Sequence, residues 1–364
     1  MTSVCYVRQF NLGAVLCSLL AYHCAVDAFK HLTSRMTAFP CILALALASL
    51  SAGQIAESLE YISLNFPSTT QGLHIPRLGL GTAGLGEDTS LITATALESG
   101  VRLIDTAQAA EWYSEEGVGQ GLKDFRQYDT TSSNDEVVII TKVHPRSFEA
   151  SKMEEALRQS RIALYGDEDA ILDVVLLHST HCWAGHCTPE EEKISWKEGW
   201  KNLEKSMESG KIKAIGVSNF NVEQLKEIDL MSGTKVSVVQ NWMDPFHQDA
   251  GVRAYAIEHN IVYMAYSSFG TQWQGTYLDN PVLSSRLIDH IATKHSCSAA
   301  SVVLSWLLQL EVVAIPRASK SEHVKENAAA IHNGSERNAL RVFLDVDDLD
   351  DIKSLDGMLD NAFK

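Results

Sequence analysis

Asp105 and Tyr113 lie in "DTAQAAEWYSEEGVG" (residues 105–119), directly behind a strand-like run, "VRLI". An acid and a phenol so placed could be the charged partner and the proton donor of a catalytic site. Equally, Asp105 could cap a helix and Tyr113 could pack against it. The stretch by itself leaves both readings open. Lys142 closes "VVIITK" and His178 closes "LDVVLLH", each an apolar run like the one before Asp105. Taken singly, these are a solvated strand-end lysine and a satisfied core histidine. Ser218 and Asn219 end "KAIGVSN", and Gln240 ends "VSVVQ". Polar residues recurring at the ends of successive apolar runs call for a fold that gathers those ends.

The runs that carry them are "RLGLGT", "VRLIDTA", "VVIITKV", "LDVVLLH", "KAIGVSNF", "VSVVQNW", "IVYMAYSSF" and "VVAIP". They are short, β-branched and almost continuously apolar, as parallel strands buried on both faces should be. Amphipathic segments separate them, from "TSLITATALES" to "SEHVKENAAAI", several ending in Gly or Asn as helices do. This alternation predicts an α/β protein, a (β/α)8 TIM barrel whose active site collects the strand ends. The preceding "YISLNF" and "HIPRL" predict a hairpin closing the barrel bottom. A competing signal is "GLGTAG", with Gly79, Gly81 and Gly84 spaced as in a dinucleotide-binding fingerprint and Asp105 downstream as its ribose partner. Pro76 and Arg77 make its strand a poor central one, and a doubly wound sheet gives no reason for polar residues at five strand ends.

The chain has 364 residues, 45% of them hydrophobic and 21% charged, with a formal net charge of -16. That is a globular composition. The acidity, with no Lys/Arg run to offset it, excludes a nucleic-acid surface. Residues 1–57 read as an N-terminal targeting segment preceding a single domain at 58–364. Within it, "NLGAVLCSLLAYHCAV" and "CILALALASLSAG" resemble the apolar regions of a signal, and "FKHLTSRMTAF" is basic, hydroxylated and free of acids. Entry to the secretory pathway or an organelle is expected. The alternatives are a plastid reached by signal plus transit peptide, or the cytoplasm if translation starts at Met36. Membrane contact is expected only through an N-terminal anchor, and the protein is expected to be a monomer. Four of seven cysteines lie in the leader, leaving Cys182, Cys187 and Cys297, too few for a disulfide framework.

From about Ile75 onward the chain resembles the aldo-keto reductase superfamily. The matching stretches include "IPRLGLGT", "LIDTA", "YSEEGVG", "IITKV", "GKIKAIGVSNF", "VVQN", "AYSSFG" and "IPRASKSEHVKEN". The resemblance implies an NADPH-dependent reductase of a small-molecule carbonyl, with Asp105, Tyr113, Lys142 and His178 as the catalytic set and no metal. A phenol beside a buried ammonium such as Lys142 is expected to become a better acid. Asp105 would hold that ammonium, and His178 would orient the carbonyl oxygen. For the cofactor, the resemblance assigns Thr82, Ser218, Asn219, Gln240, Tyr266, Ser267, Arg317, Ser319, His323, Glu326 and Asn327. Arg317 and His323 stand where Lys and Arg usually face the 2′-phosphate. Arg still binds phosphate bidentately, whereas His is a weaker, pH-dependent partner. NADPH is favoured and dual use of NADH is allowed.

Three departures qualify the match. Asp105 and Tyr113 are eight positions apart instead of the usual five, with "QAAEW" lengthening the loop, a change of small entropic cost. The only other nearby tyrosine, Tyr128, is beyond the helix and poorly placed. Ala83 stands where Trp is common, and "LLHST" lacks the usual Trp-Pro, so Trp112 and Trp183 are expected to refill the substrate pocket. The chain also ends soon after "LDVDDLDDIKSLDGM", without the long C-terminal loop of many mammalian-type relatives. In "STHCWAGHCTPEEE" the cysteine and histidine spacing matches no standard zinc site. A Cys182–Cys187 disulfide or ordinary loop packing are the alternatives there.

Overall fold

The computed structural model describes residues 61–64, 73–128, 137–330, 332–333, 336–337 and 342–359. The barrel belongs to the unit Ala56–Lys364; the targeting readings fall on residues outside those described. A hairpin of β1 (Tyr61–Leu64) and β2 (Leu73–Pro76) precedes the barrel. Eight parallel strands follow in sequential order: β3 (Leu80–Gly81), β4 (Leu103–Asp105), β5 (Val138–Val143), β6 (Leu172–Leu177), β7 (Ile212–Ser218), β8 (Val238–Trp242), β9 (Val262–Tyr266) and β10 (Val313–Ala314). Parallel bridges from Leu78 to Ala314 and from Gly81 to Arg317 join the last strand to the first and close the ring. The Gly79 and Gly81 N–H groups donate to Ala314 and Pro316 O across that seam.

The glycines of "GLGTAG" therefore serve barrel closure, and the doubly wound alternative falls. A Cβ on Gly81 would lie 2.8 Å from Ile315 O. Gly84 adopts φ +65°, a left-handed turn open to glycine.

Side chains alternate in and out along each strand. The inner layer packs Leu103, Ile140, Val174, Leu176, Val238 and Met264 together with Leu73 and Ile75 of β2, so β2 plugs the barrel interior. The outer layer, with Ile104, Ile139, Val175 and Val217, meets the helices. These are α1 (Thr89–Glu98), α2 (Glu115–Tyr128), α3 (Ala150–Tyr165), α4 (Trp196–Glu208), α5 (Val222–Met231), α6 (Ala250–His259), α7 (Arg286–Lys294), α8 (Ala299–Gln309), α9 (Ser321–Ala328) and α10 (Val346–Lys353). Two of them, α8 and α10, go beyond the sequence expectation. In α8, "AASVVLSWLLQ" buries every residue from Ser301 to Leu308 and so lacks the polar face that marks a surface helix.

Helix α2 carries the chain away from Tyr113, and its seat on α3 is tight. A Cβ on Gly119 would lie 2.1 Å from Ala163 O. Gly119→Ala is expected to lever α2 off α3 and destabilise the barrel by about 1–3 kcal/mol. A lowered thermal midpoint by circular dichroism checks this.

Candidate active site

At the C-terminal end of β4, Asp105 accepts from Lys142 Nζ at 2.7 Å through Oδ1 and from Gln240 Nε2 at 2.7 Å through Oδ2. Lys142 also donates to Thr106 O at 2.9 Å. All three side chains are buried. Strand register brings them together: Asp105 pairs Ile140 on β5, and Ser218 pairs Gln240 across β7 and β8. Burial pushes the Asp105 carboxyl up and the Lys142 ammonium down, and their mutual attraction works against both shifts.

Asp105 is not a helix cap. After it the backbone stays paired with β5, with Thr106 and Gln108 N–H donating to Ile140 and Lys142 O. The cap of α2 is Ser114, whose Oγ accepts from Gly117 N–H at 3.0 Å. The extra residues of "QAAEW" form one turn, in which Trp112 and Tyr113 N–H both donate to Ala109 O. That turn sets the Tyr113 ring with its centroid 5.1 Å from Lys142 Nζ and 5.8 Å from the His178 ring.

One expectation is corrected. Burial, and then the Asp105 charge, push the Tyr113 phenol above its ordinary range rather than below it. Lys142 is not a free ammonium, because it is ion-paired with Asp105 at 2.7 Å. His178 is held well below the usual histidine range by burial, then by Lys142 and His144, so its imidazole is neutral. Its Nδ1 is buried without a hydrogen-bond partner.

The residues assigned to the cofactor fall in two groups. Thr82 donates its hydroxyl and its N–H to Asp105 O. Asn219, at φ 63°, donates to His178 O at 2.9 Å and accepts from the Tyr266 hydroxyl at 2.6 Å. It also donates to Ser218 Oγ. Ser267, at φ 56°, accepts from Gln272, and the adjacent Ser268 Oγ is buried without a partner. The second group stands apart, at the end of β10 and on α9. Arg317, Ser319 and His323 are exposed and Asn327 is buried. Glu326 accepts from Ser298 Oγ at 2.6 Å. Arg317 donates to Gly84 O, and Gly84 N–H to Trp112 O, so the two groups are linked through one loop.

Trp112 and Trp183 do meet at the mouth, with ring centroids 5.5 Å apart. Trp183 also lies 4.9 Å from His178 and 5.2 Å from His144, and Trp112 lies 4.9 Å from His186. The loop after β6, "STHCWAGHCTPEEE", is closed by a Cys182–Cys187 disulfide, the first of the alternatives left open there. Among the described residues no cluster suits a metal ion. Three further residues of the site, His144, Glu111 and Glu115, carry no sequence expectation. His144 follows Lys142 by two positions, the strand period that could have revealed it. Glu111 accepts from Arg146 at 2.5 Å and bonds His186 at 3.5 Å. Burial works to raise its carboxyl, but these bonds together bring it down to about 2. Half-buried Glu115 accepts from Thr141 and Ser160 hydroxyls, tying the start of α2 to β5 and α3.

The sequence model of the Aldo/keto reductase family matches residues 77–337, and the chain belongs to that family. It is 32% identical over 293 residues to the 9,11-endoperoxide prostaglandin H2 reductase of Trypanosoma cruzi (strain CL Brener), covering 80% of this chain and 93% of that one. It is 34% identical over 259 residues to the glyoxal reductase of Bacillus subtilis (strain 168), covering 71% and 83% respectively. Among solved structures, an aldo-keto reductase (AKR2E5) complexed with NADPH aligns with TM-score 0.68 at 28% identity, covering 82% of this chain and 88% of that one.

Burial, then Arg146, push the His144 imidazole down to about 4. A folded-state value below the unfolded 6.5 means the unfolded chain binds more protons in between. This contribution to stability is therefore complete above pH 6.5 and is lost as pH falls toward 4. It is on the order of 3 kcal/mol. His144→Phe is expected to flatten the fall in thermal midpoint between pH 6.5 and 4, as read by differential scanning calorimetry.

Proposed function

We propose that this protein is an NADPH-dependent oxidoreductase that reduces an aldehyde or ketone to an alcohol. The observation that carries the reading is the buried Asp105–Lys142 pair with the Tyr113 ring and a neutral His178 against it. In this reading the bound nicotinamide supplies the electron pair, and the protein supplies position, field and a proton. Tyr113, fully protonated, donates its phenolic proton to the oxygen of the carbonyl as negative charge develops there. Lys142 stabilises the phenolate left behind, Asp105 and Gln240 fix Lys142, and His178 orients the carbonyl oxygen.

The residues fit a nicotinamide nucleotide. Ser218, Asn219 and Gln240 present amides and a hydroxyl beside Tyr266, whose ring would flank the nicotinamide. The unpartnered Ser268 Oγ beside Ser267 suits a pyrophosphate. Exposed Arg317, Ser319 and His323 would meet the 2′-phosphate, and Glu326 and Asn327 the adenine. Support from outside the chain comes from the solved relative complexed with NADPH. The N-terminal segment is proposed to direct the protein to the secretory route or an organelle, which sequencing of the mature N-terminus tests. No helix among the described residues is long and apolar enough to cross a membrane.

Tyr113→Phe is expected to cut turnover of a test aldehyde by about a thousandfold or more, while NADPH binding, followed by quenching of tryptophan fluorescence, persists. Retained turnover would remove Tyr113 from its role. Arg317→Ala is expected to weaken NADPH about tenfold and NADH far less, as read from Michaelis constants for the two coenzymes. An equal loss for both would place the 2′-phosphate elsewhere.

A further inference from the structure

A second imidazole stands beside His178. Lys142 pairs Leu176 and Val143 pairs Leu177 across β5 and β6, and the His178 N–H donates to Val143 O. One position further on, just past the ends of β5 and β6, His144 and His178 are thus neighbours. His144 keeps an extended backbone, φ -68° and ψ 144°, so it continues the alternation and shares Lys142's inward face. It is 1% exposed.

Its tautomer is set by its partners. His144 Nδ1 accepts from Arg146 N–H at 3.1 Å and from Arg146 Nε at 3.0 Å. With that lone pair engaged, the ring proton of the neutral imidazole sits on Nε2. Arg146 is itself fixed by Glu111 from the inserted turn. Nε2 is buried with no hydrogen-bond partner, a standing cost unless an acceptor meets it. Trp183 covers both imidazoles, with centroids 5.2 Å and 4.9 Å away. Its loop backbone is tied by the Cys182–Cys187 disulfide.

We propose that His144 is a specificity-determining residue whose Nε2–H donates to a second oxygen, next to the carbonyl being reduced. The favoured substrates are then 1,2-dicarbonyl or 2-hydroxy carbonyl compounds. This rests on the reductase reading: one oxygen lies against Tyr113 and His178, and its vicinal neighbour against His144. Such a compound presents two acceptors on adjacent carbons to donors at the ends of adjacent strands, whereas a simple aldehyde leaves Nε2 unmet.

The test uses a matched pair, phenylglyoxal and phenylacetaldehyde, which differ only in C=O against CH2 beside the aldehyde. The ratio of their kcat/KM values is measured for the wild-type protein, His144→Leu and His144→Phe. Intrinsic reactivity cancels between proteins, so a change in ratio reports His144. The ratio is expected to fall about tenfold in both variants. NADPH titration confirms that each variant is folded, and if the Leu variant does not fold the Phe variant decides. A ratio within about twofold of wild type overturns the inference and leaves the reductase reading standing. Failure of the wild type to reduce either compound overturns both.

Discussion

Everything at this site depends on keeping Lys142 and Asp105 charged where water does not reach. Two ions lose several kcal/mol of hydration each on burial, and attraction repays this only if their remaining hydrogen-bonding groups are also satisfied. Here Lys142 uses Asp105 and Thr106 O, and Asp105 uses its second oxygen on Gln240. The donors and acceptors come from β4, β5 and β8, so the pair is satisfied only when the barrel is closed and in register. Removing one member would strand the other as an unpaired buried charge, at a cost of about 3–5 kcal/mol. Fold and site are coupled through this contact more than through any single apolar residue.

Above the pair, the mouth of the barrel is built from parts that lie far apart in sequence. The inserted turn supplies Glu111 and Trp112, the segment just after β5 supplies His144 and Arg146, and the disulfide loop supplies Trp183 and His186. Glu111 holds Arg146, Arg146 holds the His144 ring, and the two tryptophans meet edge to face at 5.5 Å. Trp112 remains 40% exposed. Lengthening the loop before Tyr113 thus leaves the phenol in place and adds a wall. The ordinary pocket aromatics are missing from Ala83 and from the positions after His178. Residues from two neighbouring loops occupy the mouth in their stead.

Most of the barrel was legible because its strands are buried on both faces and read as unbroken apolar runs. All eight follow from that signal. Helix α8 did not, because burial on every side erases the period that distinguishes a helix from a strand. The polar strand ends were legible as a set: Asp105, Lys142, His178 and Gln240 share one end of the sheet. What stayed hidden was their pairing. That Gln240 holds Asp105, or that Ser114 and not Asp105 caps α2, depends on register and side-chain direction across strands, which a linear pattern does not carry. His144 was missed for the opposite reason. Its spacing from Lys142 was plain, but a histidine before proline in a loop invites no chemistry until its Nδ1 is seen bonded and its Nε2 bare.

The raised pKa of Tyr113 sharpens the proposed proton transfer rather than opposing it. A phenol made more acidic by a free ammonium would ionise near neutral pH and lose the proton it must deliver. With burial and then the Asp105 charge disfavouring phenolate, Tyr113 keeps its proton in the resting site. An alkoxide is a stronger base than a phenolate, so transfer becomes favourable only once charge has begun to gather on the carbonyl oxygen. At that point Lys142, buried and already within 5.1 Å of the ring, faces one negative charge shared between two oxygens, and a buried ammonium acts on it more strongly than one in water. The pair thus favours the charge distribution of the transition state over that of the ground state. That difference, and not an acidic resting phenol, is what accelerates a reaction.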